Sequence, residues 1–245
     1  MEQQNYQYQD NTVFVQEGAV SKKFFANVFT WMFVALAIST LAAYFIYSSS
    51  EAQSYLINDG SRTTLGTVAM FAPLALVLLM GAGFNRLSFG ALVGVFILFS
   101  VLLGISLSYI LFAYNQGSIV GCFAAATGIF GIMAVLGYTT DVDLSKFGPI
   151  LMVGLVGLII ASVVNWFLQS AQFDYIMSFF GVALFTALTA YDVQKIKRIG
   201  LGIEANGDQI VAADSQKLAI MSALTLYLDF LNIFLFLLRI FGGRK

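Results

Sequence analysis

The chain has 245 residues, of which 59% are hydrophobic and only 10% charged, with a mean hydropathy of +0.85. A soluble domain carries about 25% charged residues, so a water-soluble globule is excluded, and 12 basic against 13 acidic residues exclude the cationic field of a nucleic-acid binder. There is no histidine and one cysteine, Cys122, so histidine-based catalytic triads, His-ligated zinc and an intramolecular disulfide are excluded too.

Residues 1–21 hold five glutamines, two tyrosines and three acids. They read as a disordered cytoplasmic tail, without the basic start and apolar core of a cleaved signal peptide. A membrane domain, 22–245, follows. A transmembrane helix needs roughly 20 mostly apolar residues, and seven stretches qualify: Asn27–Tyr47, Thr64–Ala82, Leu87–Phe112, Ser118–Tyr138, Phe147–Leu168, Tyr175–Asp192 and Leu218–Ile240. Lipid-exposed backbone must satisfy its own hydrogen bonds, so the expected fold is an all-α seven-helix bundle. Val193–Gln216, with a basic cluster and three glycines, is the one long internal connection and reads as a cytoplasmic loop. With the N-terminus inside, eight basic residues lie on the cytoplasmic side and four outside. That split favours a cytoplasmic N-terminus; the three basic residues after the last span are the one element against it.

Most polar groups within the spans read as packing material. Gly90 and Gly94, like Gly117 and Gly121, form GxxxG pairs; Ser100, Gly104 and Ser108 recur every four residues; Ser162, Asn165 and Gln169 form a stripe on the fifth span. Pro73 should kink the second span. Cys122 is assigned to packing. Asp141 and Asp143 resemble the start of an EF-hand, but the loop is too short and lacks the terminal glutamate; Asp143 or Ser145 reads better as a helix N-cap.

The last two spans differ. Asp229 falls about twelve residues, ~18 Å, into the final span, where a charged carboxylate costs at least ~2.5 kcal/mol. Ser222, Thr225, Asp229 and Asn232 share one helical face, which should meet protein or water rather than lipid. Thr186, Thr189 and Asp192 share a face of the sixth span. Asp192 is open to two readings: a helix-end carboxylate paired with Lys195 or Lys197, or, if the helix continues through Arg198, a partner of Asp229 across the interface. Two carboxyls meeting in a low dielectric tend to share one proton. Its loss would leave like charges in contact, push the helices apart and create a site that Ca²⁺, a hard cation preferring oxygen ligands, could neutralise.

Ala187–Asp192 (ALTAYD) before a basic run, and Ala223–Phe234 (ALTLYLDFLNIF), resemble the signatures of the Bax inhibitor-1 family. Gly137-Tyr138-Thr139-Thr140 with Asp143-Leu144-Ser145, and Gly157–Asn165, are similar to further segments of that family, and the resemblance runs from about Lys22 to Arg239. The resemblance implies a bacterial inner-membrane protein, a bundle whose last helix is wrapped by the other six, and a pH-sensitive calcium leak gated by an aspartate pair. Asp192 and Asp229 match those positions, which favours a facing pair, with Thr189, Thr225 and Asn232 as its supporting polar face. An arginine near the start of the second helix helps hold the family's closed state, and Arg62 is the candidate. The Val193–Gln216 connection is longer than the family's usual one.

The expected function is therefore a proton-gated passive cation leak, with Ca²⁺ and protons as its ligands, Asp192 and Asp229 as the carboxylates that would meet the metal, and no resident cofactor. The alternative is a non-conducting membrane protein that modulates a stress response or a protease through a membrane-protein partner. An enzyme is not expected. Serine proteolysis lacks a histidine base, the two aspartates lack the Gly-x-Gly-Asp context of aspartyl intramembrane proteases, and no lysine sits mid-span to form a retinal Schiff base.

Overall fold

The computed structural model describes residues 18–58, 61–206, 212–243 and 245; the side chains of residues 57, 58, 62 and 212 are also outside the description. The 1–17 part of the expected tail lies outside the described residues. From Ala19 onward the chain is helical, so the first helix begins eight residues before its apolar stretch.

The helices are α1 (Ala19–Ser48), α2 (Ser50–Leu56), α3 (Thr64–Gly83), α4 (Phe89–Ala113), α5 (Gln116–Thr139), α6 (Gly148–Leu168), α7 (Ala171–Ala205) and α8 (Ala212–Phe241). A 3-10 turn, Leu144–Phe147, precedes α6, and two two-residue strands, β1 (Ile57–Asn58) and β2 (Ser61–Arg62), form a minute hairpin before α3. All helices except the seven-residue α2 are long and apolar enough to cross a membrane. The seven expected spans are all present, and the fold is an all-α membrane bundle.

Helix boundaries follow local chemistry. Thr63, Ser88 and Ser170 cap α3, α4 and α7 by accepting the amide hydrogen of the residue three positions on. Pro149, within the first turn of α6, removes a donor that has no partner there. Asp143 caps the 3-10 turn, as its position in the sequence suggests. Gln169 ends α6 in the left-handed region (φ 51°), and Asn165 holds the turn through the Ser170 amide (3.2 Å).

The expected loop Val193–Gln216 is a correction. The α7 helix continues to Ala205, and α8 starts at Ala212, so the connection shrinks to 206–211. Hydropathy falls after Asp192 because Lys195, Lys197 and Arg198 enter the sequence, while Val193, Ile196 and Ile203 keep one face of the helix in the apolar core. Lysine and arginine are good helix formers, and packing holds the extension: an added Cβ at Gly200 would stand 3.0 Å from Ser21 Oγ, and Glu204 accepts the Gly18 amide at 3.0 Å.

The α8 helix is the axle of the bundle. In its membrane window 72% of residues are buried, against none for α6. Four helices, α1, α4, α5 and α7, lie directly on it; α3 packs mainly on α4 and α6 mainly on α7. Close approach is built at particular residues. Gly104 lets α4 rest on the Ser39 backbone of α1. There Ser39, fully inside, donates to Ala35 O (2.7 Å) or Ser100 O (3.0 Å) and meets the hydroxyl of the buried Tyr227 on α8. Tyr227→Phe is expected to cost about 1 kcal/mol, since one buried hydrogen bond is lost while Ser39 keeps a carbonyl; thermal unfolding in detergent checks it.

The GxxxG pairs do not pack within the chain. An added Cβ at Gly90, Gly94, Gly117 or Gly121 would meet nothing within 4 Å. Spacing alone cannot tell a face turned to a neighbouring helix from one turned to lipid. Ser100 and Ser108 are buried, as expected of interface residues, and Cys122 is buried as a packing group.

Candidate functional site: a buried aspartate pair

Asp192 comes from α7 and Asp229 from α8, and their carboxyl groups lie within hydrogen-bonding reach of one another. Both are buried, with 8% and 4% of their surface exposed. Asp229 stands seventeen residues after Ala212 and twelve before Phe241, so no helix end is near to hydrate it. Its Oδ2 is the single buried side-chain oxygen or nitrogen without a hydrogen-bond partner among the described residues. A hydrogen bond between two carboxyl groups exists only while one of them holds a proton. Two carboxyl groups placed together in a low dielectric are chemically able to hold one shared proton.

The lysine-paired reading of Asp192 is not what forms. Lys197 Nζ donates to Tyr138 O (2.8 Å) and lies 4.8 Å over the Tyr138 ring. The exposed Lys195 acts on Asp192 through its field, without an ion pair among those described.

Asp192 is held by a dense set of fastenings to the end of α5. Gly137 allows α5 to touch the Ala190 backbone. The buried Gln194 accepts from the Leu144 amide (2.8 Å) and donates to Val142 O (2.7 Å), clasping the α5–α6 connection to α7. Arg198 donates to Asp143 Oδ1 (2.5 Å) and to Gln194 Oε1 (2.9 Å). Asp229 is held by the axle itself, through Tyr227 two residues before it. The carboxyl pair is thus a polar contact between α7 and α8 in the bundle interior, in addition to the Arg239–Asp174 ion pair near their ends.

Outside the membrane-spanning segments, Asp143 is held well below the usual carboxylate range, first by the Ser145 hydroxyl and then by Arg198. A carboxyl lowered in the folded state contributes its stabilisation above its unfolded value, near pH 4, and loses it as pH falls from there towards the folded value. The clasp is expected to loosen in strong acid and to be unchanged between pH 6 and 8. Amide hydrogen exchange of Leu144 and Ser145 against pH checks this.

The supporting polar face is only partly assembled around the pair. Thr189 is buried on the turn before Asp192 and donates to Phe185 O (2.7 Å). Thr225 is exposed and donates to Met221 O (3.1 Å). Asn232 is half-buried, donates to Leu228 O (2.8 Å), and lines a cleft of about 670 Å³ between α3 and α6 with Ser162, Trp166 and Arg239. Neither carboxylate lines that cleft. At its rim Arg239 pairs with Asp174 at 3.0 Å. Arg62 lies on β2 opposite Ile57; its side chain is outside the described residues.

Sequence reading missed Gln194, Gly137 and Tyr227 as parts of this site, and weighed Lys197 only as an ion-pair partner of Asp192, whereas it donates to Tyr138 O. The signals were weak: a glutamine two residues past an aspartate, and a glycine whose partner is on another helix. Among the described residues no group of three or more Cys, Asp or Glu side chains could hold a metal ion. Two carboxylates alone fall short of the six to eight oxygens of a resident Ca²⁺ site.

Comparison with known proteins agrees with this reading of the fold. The family model described as inhibitor of apoptosis-promoting Bax1 matches residues 21–245. An inner membrane protein of Escherichia coli K12, YbhL, is 38% identical over 231 residues, which cover 94% of this chain and 96% of that one. An uncharacterised protein of Borreliella burgdorferi is 39% identical over 233 residues, with 94% and 96% covered. An uncharacterised membrane protein of Streptococcus pyogenes is 30% identical over 234 residues, with 95% and 98% covered.

Proposed function

This integral membrane protein belongs to the Bax inhibitor-1 family, and we propose that it is a passive, proton-sensitive leak for Ca²⁺ gated by Asp192 and Asp229. The observation that carries the reading is the buried carboxyl pair at the contact between α7 and α8, with one oxygen left unpartnered. With the shared proton present, the pair ties α7 to the axle. Without it, two like charges stand together where little water screens them, and this contact between α7 and α8 becomes repulsive. Such an element has two packings, and proton binding biases one of them.

The α3–α6 cleft supports a route to the pair. Asn232, three residues past Asp229 on α8, lines it together with Ser162 and Arg239, while the carboxyls themselves stay covered. The arrangement corresponds to a closed path. We place the protein in the bacterial cytoplasmic membrane with Lys22, Lys23, Lys146 and the α7 extension on the cytoplasmic side.

The test is calcium entry into liposomes that carry the purified protein and an enclosed calcium dye, read across a pH series. Entry above that of empty vesicles is expected to follow a single titration, and Asp192→Asn and Asp229→Asn each to flatten it. No entry above empty vesicles, or an unaltered titration in both variants, rejects the leak. In that case capture of a membrane-protein partner in mild detergent is the finding to seek.

A further inference from the structure

The α1 and α5 helices meet at one end only. Phe25 and Tyr138 approach to 4.6 Å between ring centroids and Phe29 and Phe130 to 6.5 Å. Between the helices lies a crevice of about 1010 Å³ lined by these four rings and, further along, by Phe33 and Leu36 on one side and Gly131 and Ala134 on the other, with Phe230 of α8 as its floor. The lining runs along α1 from Phe25 to Leu41, roughly 24 Å at 1.5 Å per residue. That is more than half of the ~30 Å hydrocarbon core of a bilayer.

The crevice is lined mainly by apolar side chains. Its three threonines each spend their hydroxyl hydrogen on their own helix: Thr40 on Leu36 O, Thr127 on Phe123 O and Thr139 on Val135 O, all at 2.8 Å. At the mouth the chemistry changes. Lys22 lies three residues before Phe25 and seven before Phe29, on the helical face that lines the crevice. It is exposed, Lys23 is exposed beside it, and neither pairs with an acid among the described residues. Across the mouth Lys197 lies over the Tyr138 ring.

We infer that the crevice seats an anionic glycerophospholipid from the leaflet that contains Lys22, with an acyl chain against Phe230 and the phosphate between Lys22 and Lys23. The charge pattern separates this occupant from a second copy of the chain. A two-fold contact along this seam brings each lysine pair against its own image, whereas a phosphodiester complements it. The site would let the lipid touch the axle directly, one helical face away from the aspartate pair, and it stands whether or not the leak does.

The test is native mass spectrometry of protein released from nanodiscs containing equal phosphatidylglycerol and phosphatidylcholine of the same chains. One phosphatidylglycerol is expected to be retained in preference to phosphatidylcholine, the preference falling roughly five-fold for each lysine removed in Lys22→Gln and Lys23→Gln. Gly131→Trp is expected to weaken retention of both lipids, because a Cβ there meets nothing within 4 Å and the indole projects from a wall of the crevice. Ala37→Trp does the same from the opposite wall, so one variant serves if the other fails to fold. Wild-type protein without bound lipid, equal retention of both lipids, retention by both filled variants, or a dimer that they abolish would overturn the inference.

Discussion

Gly137→Val is expected to destabilise the protein by about 3 kcal/mol, the upper end of the usual cost of overpacking. A Cβ at Gly137 would meet the Ala190 carbonyl oxygen within contact distance and stand 2.9 Å from both the carbonyl carbon and Cα of the same residue. These are backbone atoms inside a helix and cannot swing aside as a side chain can. Relief requires α5 to withdraw from α7. Withdrawal would also strain the Lys197–Tyr138 contact, which bridges the same two helices, and the Gln194 clasp on the connection that follows α5. Gly128→Ala is the control. It lies on the same helix, an added Cβ meets nothing within 4 Å, and loss of chain entropy in the unfolded state predicts a gain of up to ~1 kcal/mol. Thermal unfolding in detergent compares the two. Equal stability of both variants would mean that α5 and α7 do not approach as closely as Gly137 permits.

This contrast marks what was legible in the sequence. The seven spans were, because hydrocarbon sets a minimum run of apolar residues and the chain meets it seven times. The helix ends were legible only where hydropathy and helix end together. They diverge at α7, where the apolar stretch stops at Asp192 and the helix continues for thirteen more residues. That divergence decides the site: a loop after Asp192 leaves its carboxyl free to turn to a lysine, while a continued helix fixes its direction towards α8. Asp229 stood out because a carboxylate deep in an apolar helix is costly, and burial of its surface agrees. Partnership could not be read from spacing, since the two aspartates lie on different helices and only the packed bundle brings them together. The glycines make the same point in reverse. Gly104, within the four-residue repeat of Ser100 and Ser108, and Gly137, with no distinguishing spacing, both admit neighbouring backbones, while the GxxxG pairs carry the familiar spacing and face away from the chain.

The aspartates themselves yield the second large effect, in a cycle of leucine substitutions. Asp192→Leu leaves Asp229 buried with no polar partner for either oxygen, and a buried group orphaned in this way costs about 3 kcal/mol. Asp229→Leu is expected to cost less, because Asp192 keeps the field of Lys195 and more of its surface is exposed. In the double variant both orphans vanish. Leucine branches at the same carbon as aspartate, and apolar replacement of a whole buried pair is often neutral or stabilising, so the double variant should lie within ~1 kcal/mol of the native protein and above either single one. Calcium entry and its pH dependence should both be lost in that well-folded double variant. Denaturant unfolding in mixed micelles, run beside the liposome assay, reads the two quantities on the same protein. A double variant less stable than both singles would show that the pair holds the bundle together. A double variant that folds as well as the native protein yet passes no Ca²⁺ would place the carboxyl pair in transport, where its cost in stability is accepted because the two helices must be able to part.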